Sequence, residues 1–432
     1  MVASAVGALR RSLPEGALVI GAALVAQGIS AYAYLAIASR ALGPTAYSPL
    51  SALWALVFVA APGLFLPLEQ ESGRAIAARR VRGVGARPVI LRAGAIGGGL
   101  VLALIVIALA AHQPVTDRLF DGDGRLLLGL VVAIVCYSSY FLFRGTLAGN
   151  GRFRGYATLL AIESGVRVAL TLALALAGVR SAWVFSLAIG VPCVIALVPM
   201  LLREHGLARP GPPATWTEIS SALTQLLAGS LFAQVLSNIS PLAVKVIATD
   251  SGAGGRFLDN LIVARVPLFF FQAVQASLLP KLAAQAAAHH YEEFAAGLRR
   301  LLVLLAGVVG ISVLGMLAVG PYIVKALFGS GYDLTRVDLA LLAAGSEGMM
   351  LCFSLAQGCI ALRAYGRMVA GWAAGIATVA VLLAVLPGVE RRAEVSFVFG
   401  VAAASVALGA ALVSQLRSLA HSEPSRAVPA SR

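Results

Sequence analysis

Residues 93–111 read AGAIGGGLVLALIVIALAA, a run with no charged and no hydrogen-bonding side chain. A helix of this kind crosses a hydrocarbon core about 30 Å thick, which takes about 20 apolar residues at 1.5 Å each. Comparable stretches lie on either side, at 17–39, 47–68, 126–147, 156–178, 183–202, 221–247, 257–279, 301–319, 337–362, 369–386 and 395–416. Twelve spans in 432 residues, joined by short polar connectors, leave no room for a sizeable soluble domain. Composition points the same way: 59% of residues are hydrophobic and 12% charged, where a soluble domain carries about 25% charged residues. The reading is an all-α, polytopic membrane protein with twelve transmembrane helices. Residues 1–16 and the apolar run after them read as a signal anchor that stays in the membrane.

The connector after the sixth span contains Arg209-Pro210-Gly211-Pro212-Pro213, which cannot be helical because proline lacks the donor and clashes with the preceding turn. It divides the chain into an N-terminal six-helix bundle (1–205), a linker (206–218), a second six-helix bundle (219–417) and a tail (418–432). The halves resemble each other in order. Val25-Ala26-Gln27-Gly28-Ile29-Ser30 matches Phe232-Ala233-Gln234-Val235-Leu236-Ser237, and Leu119-Phe120-Asp121-Gly122 matches Leu327-Phe328-Gly329-Ser330. Gly145 followed by Gly151-Arg152 matches Gly358 followed by Gly366-Arg367. Six spans per half make the repeats parallel, so the expected arrangement is two pseudo-symmetric bundles around a central cavity, related by an axis along the membrane normal.

The formal net charge of +14 invites a nucleic-acid reading, and its distribution argues against one. With the N-terminus inside, the inner connectors hold 20 Lys or Arg and the outer ones nine. Arg74, Arg79, Arg80, Arg82, Arg87 and Arg92 fall in one inner connector. This is the positive-inside pattern, which places both termini in the cytoplasm, with attraction to anionic lipid as its second effect. The bilayer, not a nucleic acid, is the expected partner.

Several short segments carry a family resemblance. They are Arg40-Ala41-Leu42-Gly43-Pro44 with Tyr47; Phe143-Arg144-Gly145, leading through Asn150-Gly151-Arg152-Phe153 to Tyr156; and Ala264-Arg265-Val266-Pro267-Leu268, ending at Leu279-Pro280-Lys281-Leu282. With Leu327-Phe328-Gly329 and Tyr332, they resemble the bacterial polysaccharide and O-antigen exporters of the MATE-like flippase superfamily, across essentially the whole chain. The resemblance implies a flippase in the bacterial cytoplasmic membrane. Its substrate would be a polyprenyl-diphosphate-linked oligosaccharide, moved from the cytoplasmic to the outer leaflet by alternating access beside polysaccharide-assembly enzymes. Moving two negative charges outward across ~100 mV, inside negative, releases about 4–5 kcal/mol. The further two spans of lipid II flippases are not found.

Ionisable residues inside spans are the first site candidates, because a central charge costs about 2.5–3.5 kcal/mol unless paired or wetted. Glu163 and Arg167 are four apart and share a helix face; they form either a local ion pair or a coupling site. Arg144 and Lys245 lie near span ends and either snorkel or bind substrate. Arg265 lies well inside span eight, and the acid nearest it in sequence, Asp259, falls off its face. The resemblance implies a cavity-lining arginine there, suited to bidentate phosphate binding. Glu347 is expected either to pair with an arginine of another helix or to titrate as a coupling site. Gln27, Gln234, Asn238 and Gln272 either bind sugar hydroxyls or link helices. Prolines 62, 67, 241 and 267 are candidate bending points.

No P-loop lysine follows Gly145–Gly151, and His112, His205, His289, His290 and His421 fall in connectors or the tail without metal spacing. Cys136, Cys193, Cys352 and Cys359 lie inside spans as small core residues. The expectation is a transporter with no cofactor and no metal. A membrane polymerase or ligase would want a larger external loop than residues 320–336. A cation-coupled multidrug antiporter would want carboxylates on spans one and seven, which carry none.

Overall fold

The computed structural model describes residues 17–215, 218–219, 222–328 and 335–421. Its elements are α1 (Ala17–Ala60), a π-helical turn (Ala61–Phe65), α2 (Leu66–Val81), α3 (Arg87–Ala110), α4 (His112–Leu119), α5 (Arg125–Gly149), α6 (Phe153–Leu176) and α7 (Ala182–Arg203). Then come α8 (Leu223–Ile247), α9 (Ala253–Ala264), α10 (Val266–Ala287), α11 (Tyr291–Phe328), α12 (Arg336–Ala361), α13 (Tyr365–Val385) and α14 (Glu390–His421). Ten helical segments among the described residues are long and apolar enough to cross a membrane, the first running from Val19 to Val81. That first segment holds two spans. Gly43 (φ 75°, ψ 165°) breaks it, and the Tyr34 and Trp54 rings stack 5.1 Å apart. Twenty residues of unbroken helix would hold those rings about 30 Å apart, so the chain folds back at Gly43-Pro44 as an αα-hairpin. Span eight is broken the other way, into α9 and α10 at Arg265 (φ −90°, ψ 1°). Pro267 supplies the reason, having no N–H to continue the ladder. The twelve-span reading is consistent with this arrangement.

The prolines divide by outcome. Pro62 lies in the π-turn and Pro267 just after the span-eight break. Pro192, Pro199 and Pro241 sit inside helices that stay continuous. The sequence reading ended span two at residue 68, whereas the helix runs on to Val81. It stops where Gly83 enters the left-handed region (φ 68°), and the N–H groups of Gly83 and Val84 close on the carbonyls of Arg80 and Arg79.

By compactness the chain forms two units: Met1–Ile262 with Val324–Tyr332, and Val263–Ile323 with Asp333–Arg432. In the first, α5 packs on α2 through small residues. A β-carbon at Gly145 would lie 2.7 Å from the Glu69 carbonyl oxygen, and one at Gly149 would lie 2.7 Å from that of Gly73. Only glycines permit this approach, and it brings the acid of α2 to the arginine of α5. An aromatic core surrounds it, with Phe65, Tyr137, Tyr140 and Phe141 in contact. In the second unit α12 is the central helix. Leu339, Leu342, Met349, Cys352 and Cys359 are buried along it, and Phe353 meets Trp372 of α13 at 5.6 Å.

The proline-rich connector is clamped to the first unit. Arg79, 2% exposed, donates to both carboxylate oxygens of Glu218 (2.7 and 3.1 Å) and to the carbonyls of Gly85, Pro212 and Pro213 (2.9, 2.9 and 3.3 Å). Arg74 donates to the Glu218 carbonyl at 2.8 Å, and the Arg87 N–H to that of Arg209 at 3.0 Å. These hydrogen bonds hold the Glu218 carboxyl below the usual carboxylate range. Arg79, expected as one charge of a basic connector, is therefore an internal strut of the linker.

Candidate functional site

The polar groups buried among the first unit's helices form separate centres. Glu163 and Arg167, one turn apart on α6, are 0% and 1% exposed and in direct ion contact. Arg167 also donates to the Tyr137 hydroxyl at 2.9 Å, and Gln27 of α1 donates to the other Glu163 oxygen at 3.1 Å. The pair is thus neutralised within its own helix and tied to two others. Ser30 donates to the Ser164 carbonyl at 3.0 Å and reinforces the α1–α6 contact.

Arg144 is equally enclosed. Its guanidinium donates to the Tyr156 hydroxyl at 3.1 and 2.6 Å, that hydroxyl donates to Glu69 at 2.8 Å, and the Arg144–Glu69 ion pair closes at 3.2 Å. The Phe141 ring lies 4.7 Å below the guanidinium carbon, a desolvated cation–π contact worth about 2 kcal/mol. Lys245, 7% exposed, donates to both oxygens of Asp121 at 2.7 and 2.8 Å. The sequence reading missed both acids. Glu69 fell just beyond the apparent end of span two, and Asp121 in a connector 124 positions from its lysine. The polar side chains of spans one and seven bond locally: Gln27 to Glu163, and Asn238 to the Gln234 carbonyl at 2.9 Å. Gln234 itself is half-buried on α8.

A fourth centre carries Asp259 of α9, 0% exposed, whose carboxylate accepts from Ser39 of α1 at 2.6 Å with the Tyr47 hydroxyl nearby. Tyr32 donates to the Ile262 carbonyl one turn further on, at 2.9 Å.

In the second unit Glu347 of α12 is fully buried with both carboxylate oxygens enclosed, and the charge of Arg265 and the backbone N–H of Leu268 act on it. Arg265 is the residue before the first turn of α10 and is half-buried. A guanidinium and a helix N-terminus therefore coincide at the break in span eight, the combination that suits an anion. At the start of α12, Asp338 and the buried Glu394 share Arg391 at 2.6 and 3.6 Å. The side chain of Gln272 lies outside the described residues, as do Gly329, Ser330, Tyr332 and the tail from 422.

No family model matches the sequence. The chain is 26% identical over 397 residues to "Uncharacterized protein Mb3654" of Mycobacterium bovis, and 25% identical over the same length to "Uncharacterized protein Rv1510" of Mycobacterium tuberculosis, each covering 88% of both sequences. Among solved structures it is similar to the inward-facing conformation of a multidrug resistance MATE family transporter of the MOP superfamily. That TM-score is 0.70 at 13% identity, over 95% of this chain and 100% of the other. A mutant of the Vibrio cholerae MATE transporter VcmN follows, with TM-score 0.64 at 14% identity over 95% and 97%. At these identities the likeness concerns architecture, and it extends over nearly the whole polypeptide: the chain is a multi-pass membrane protein with the fold of the MATE transporters.

Proposed function

We propose that this protein is a membrane exporter working by alternating access, and that its cargo is a polyprenyl-diphosphate-linked oligosaccharide carried from the cytoplasmic to the outer leaflet. The transport reading rests on the MATE-type fold. The anionic cargo rests on one observation above the others, the coincidence of Arg265 with the N-terminus of α10 inside a span. Backbone N–H groups and a guanidinium there favour phosphate oxygens. Glu347 faces this positive end, so an incoming diphosphate competes with an internal carboxylate. Arg144 and Lys245, both held in ion pairs, position the first unit, and Arg265 is assigned to the phosphate groups.

The second reading is a cation-coupled multidrug antiporter, favoured by the identity of the solved neighbours. Proteoliposomes separate the two. For the first, a polyprenyl-diphosphate sugar changes leaflet faster with protein than without, faster still with a negative interior, and Arg265→Ala stops it while Arg265→Lys keeps part. Export of lipophilic cationic dyes on a sodium or proton gradient, with the lipid-linked sugar unaffected, would establish the second instead.

A further inference from the structure

The buried acids of the described residues come with basic partners, with one exception. Glu69 has Arg144, Glu163 has Arg167, Asp338 and Glu394 have Arg391, and Glu347 lies in the field of Arg265. Asp259 is as buried as any of them and meets only hydroxyls. Its Oδ2 accepts from Ser39, its Oδ1 is enclosed, and the other hydroxyl at the carboxyl is that of Tyr47. The bases on the elements around it are engaged elsewhere. Arg256 of α9 pairs with Asp250, Lys245 of α8 pairs with Asp121, and Arg40 of α1 donates to the carbonyls of Ala326 and Leu327.

The place of Asp259 in the packing gives this a consequence. Gly255, Asp259 and Ile262 recur at helical spacing on one face of α9, and all three touch the α1 hairpin. A β-carbon at Gly255 would lie 2.9 Å from the Tyr47 ring and 3.3 Å from the Pro44 carbonyl oxygen. Asp259 holds Ser39, and Ile262 accepts from Tyr32. The carboxyl group thus sits enclosed in the middle of a helix–helix seat, 0% exposed, where an ionised carboxylate has no counter-charge among the described residues. A divalent metal is not the remedy, because no three His, Cys, Asp or Glu side chains gather among the described residues. A proton on Oδ1 neutralises the group and leaves the Ser39 bond to Oδ2 in place.

We propose that Asp259 is a proton-binding site whose occupancy controls the seating of α9 on the α1 hairpin. A proton taken from water forms an O–H bond at Oδ1 and keeps α9 docked. Loss of that proton to water leaves a carboxylate that must leave the seat to be solvated. Docking and proton affinity are then linked, each strengthening the other. The inference stands on the first unit alone and is independent of the cargo.

Hydrogen exchange across Ala253–Ala264 in purified full-length protein, followed against pH, tests it. Above the transition the protection factor, from which the intrinsic pH dependence of amide exchange is divided out, should fall roughly tenfold per pH unit, since one proton is linked to release. Asp259→Asn mimics the neutral acid and should remain protected at every pH, and Ser39→Ala should shift the transition. Infrared spectra give a reading that does not depend on one variant folding. The spectrum of the wild type minus that of Asp259→Asn or, if that fails to fold, of Asp259→Ser should show a protonated carboxyl band, and the difference against Glu163→Gln should not. The absence of a carboxyl band from the wild-type-minus-Asp259→Asn difference, the same pH profile in wild type and Asp259→Asn, or protection that follows sodium concentration at fixed pH would each overturn the proposal.

Discussion

The Arg144–Tyr156–Glu69 triad is a stability element first. Removing one charge leaves the other buried without compensation, which costs about 3–5 kcal/mol. Glu69→Gln and Arg144→Met should each lower the unfolding temperature in detergent, and the double mutant should recover most of the loss. If single and double mutants melt alike, the pair is not the unit that matters. Glu163 and Arg167 call for the same cycle with transport as a second readout. A structural pair predicts that the double alanine regains stability and keeps activity; a coupling role for Glu163 predicts a stable but inactive double mutant. The sequence made Glu163 and Arg167 legible as a pair because helical spacing fixes their shared face. It could not do so for Arg144. Its partner lies on another helix, brought within reach by Gly145 and Gly149, and a one-dimensional pattern carries no record of which helix packs against which.

At the level of elements, the linker clamp is open to a pH test. Hydrogen bonds from Arg79 hold the Glu218 carboxyl below its ordinary value in the folded protein. Its contribution is therefore fully present above the unfolded carboxylate value and is lost as pH falls through the lower, folded value. Protection of residues 206–215 against hydrogen exchange, relative to the intrinsic rate at each pH, should fall on acidification in the wild type. Protection there should be low and nearly pH-independent in Glu218→Gln. A slow linker in that variant would assign the clamp to the carbonyl contacts alone. Gly85→Val is a harsher probe, because a β-carbon at Gly85 would lie 1.8 Å from the Pro210 carbonyl oxygen and must lift the linker off its support. The helices themselves were largely readable, since apolar runs of span length leave little choice. The hairpin turn at Gly43 and the break at Arg265 were readable only as glycine and proline punctuation. Whether such a residue turns, breaks or merely bends a helix depends on neighbours: Pro267 follows a break, while Pro192, Pro199 and Pro241 do not interrupt their helices.

For the whole molecule, repeat and packing answer different questions. The six-plus-six division is read from matched motifs and concerns descent. The compact units are set by contacts such as Tyr32 to Ile262 and Ser39 to Asp259, between residues 230 and 220 positions apart. Those contacts put α9 as far as Ile262 with the first unit. Orientation in the membrane follows from charge alone. The excess of Lys and Arg on alternate connectors sets which side stays in the cytoplasm, because each costs free energy to carry across. Single cysteines at Gly122 and at Arg209, introduced after the native cysteines are replaced, should react oppositely with a membrane-impermeant thiol reagent in intact cells. Gly122 should label from outside and Arg209 only after the membrane is opened. Six spans per half also require the end of α14 to lie on the Arg209 side, so a third cysteine at Arg417 should behave like the second. Labelling of Arg417 from outside would make the number of spans after the linker odd. That outcome would remove the parallel repeat, and with it the pseudo-two-fold axis on which a central cavity depends.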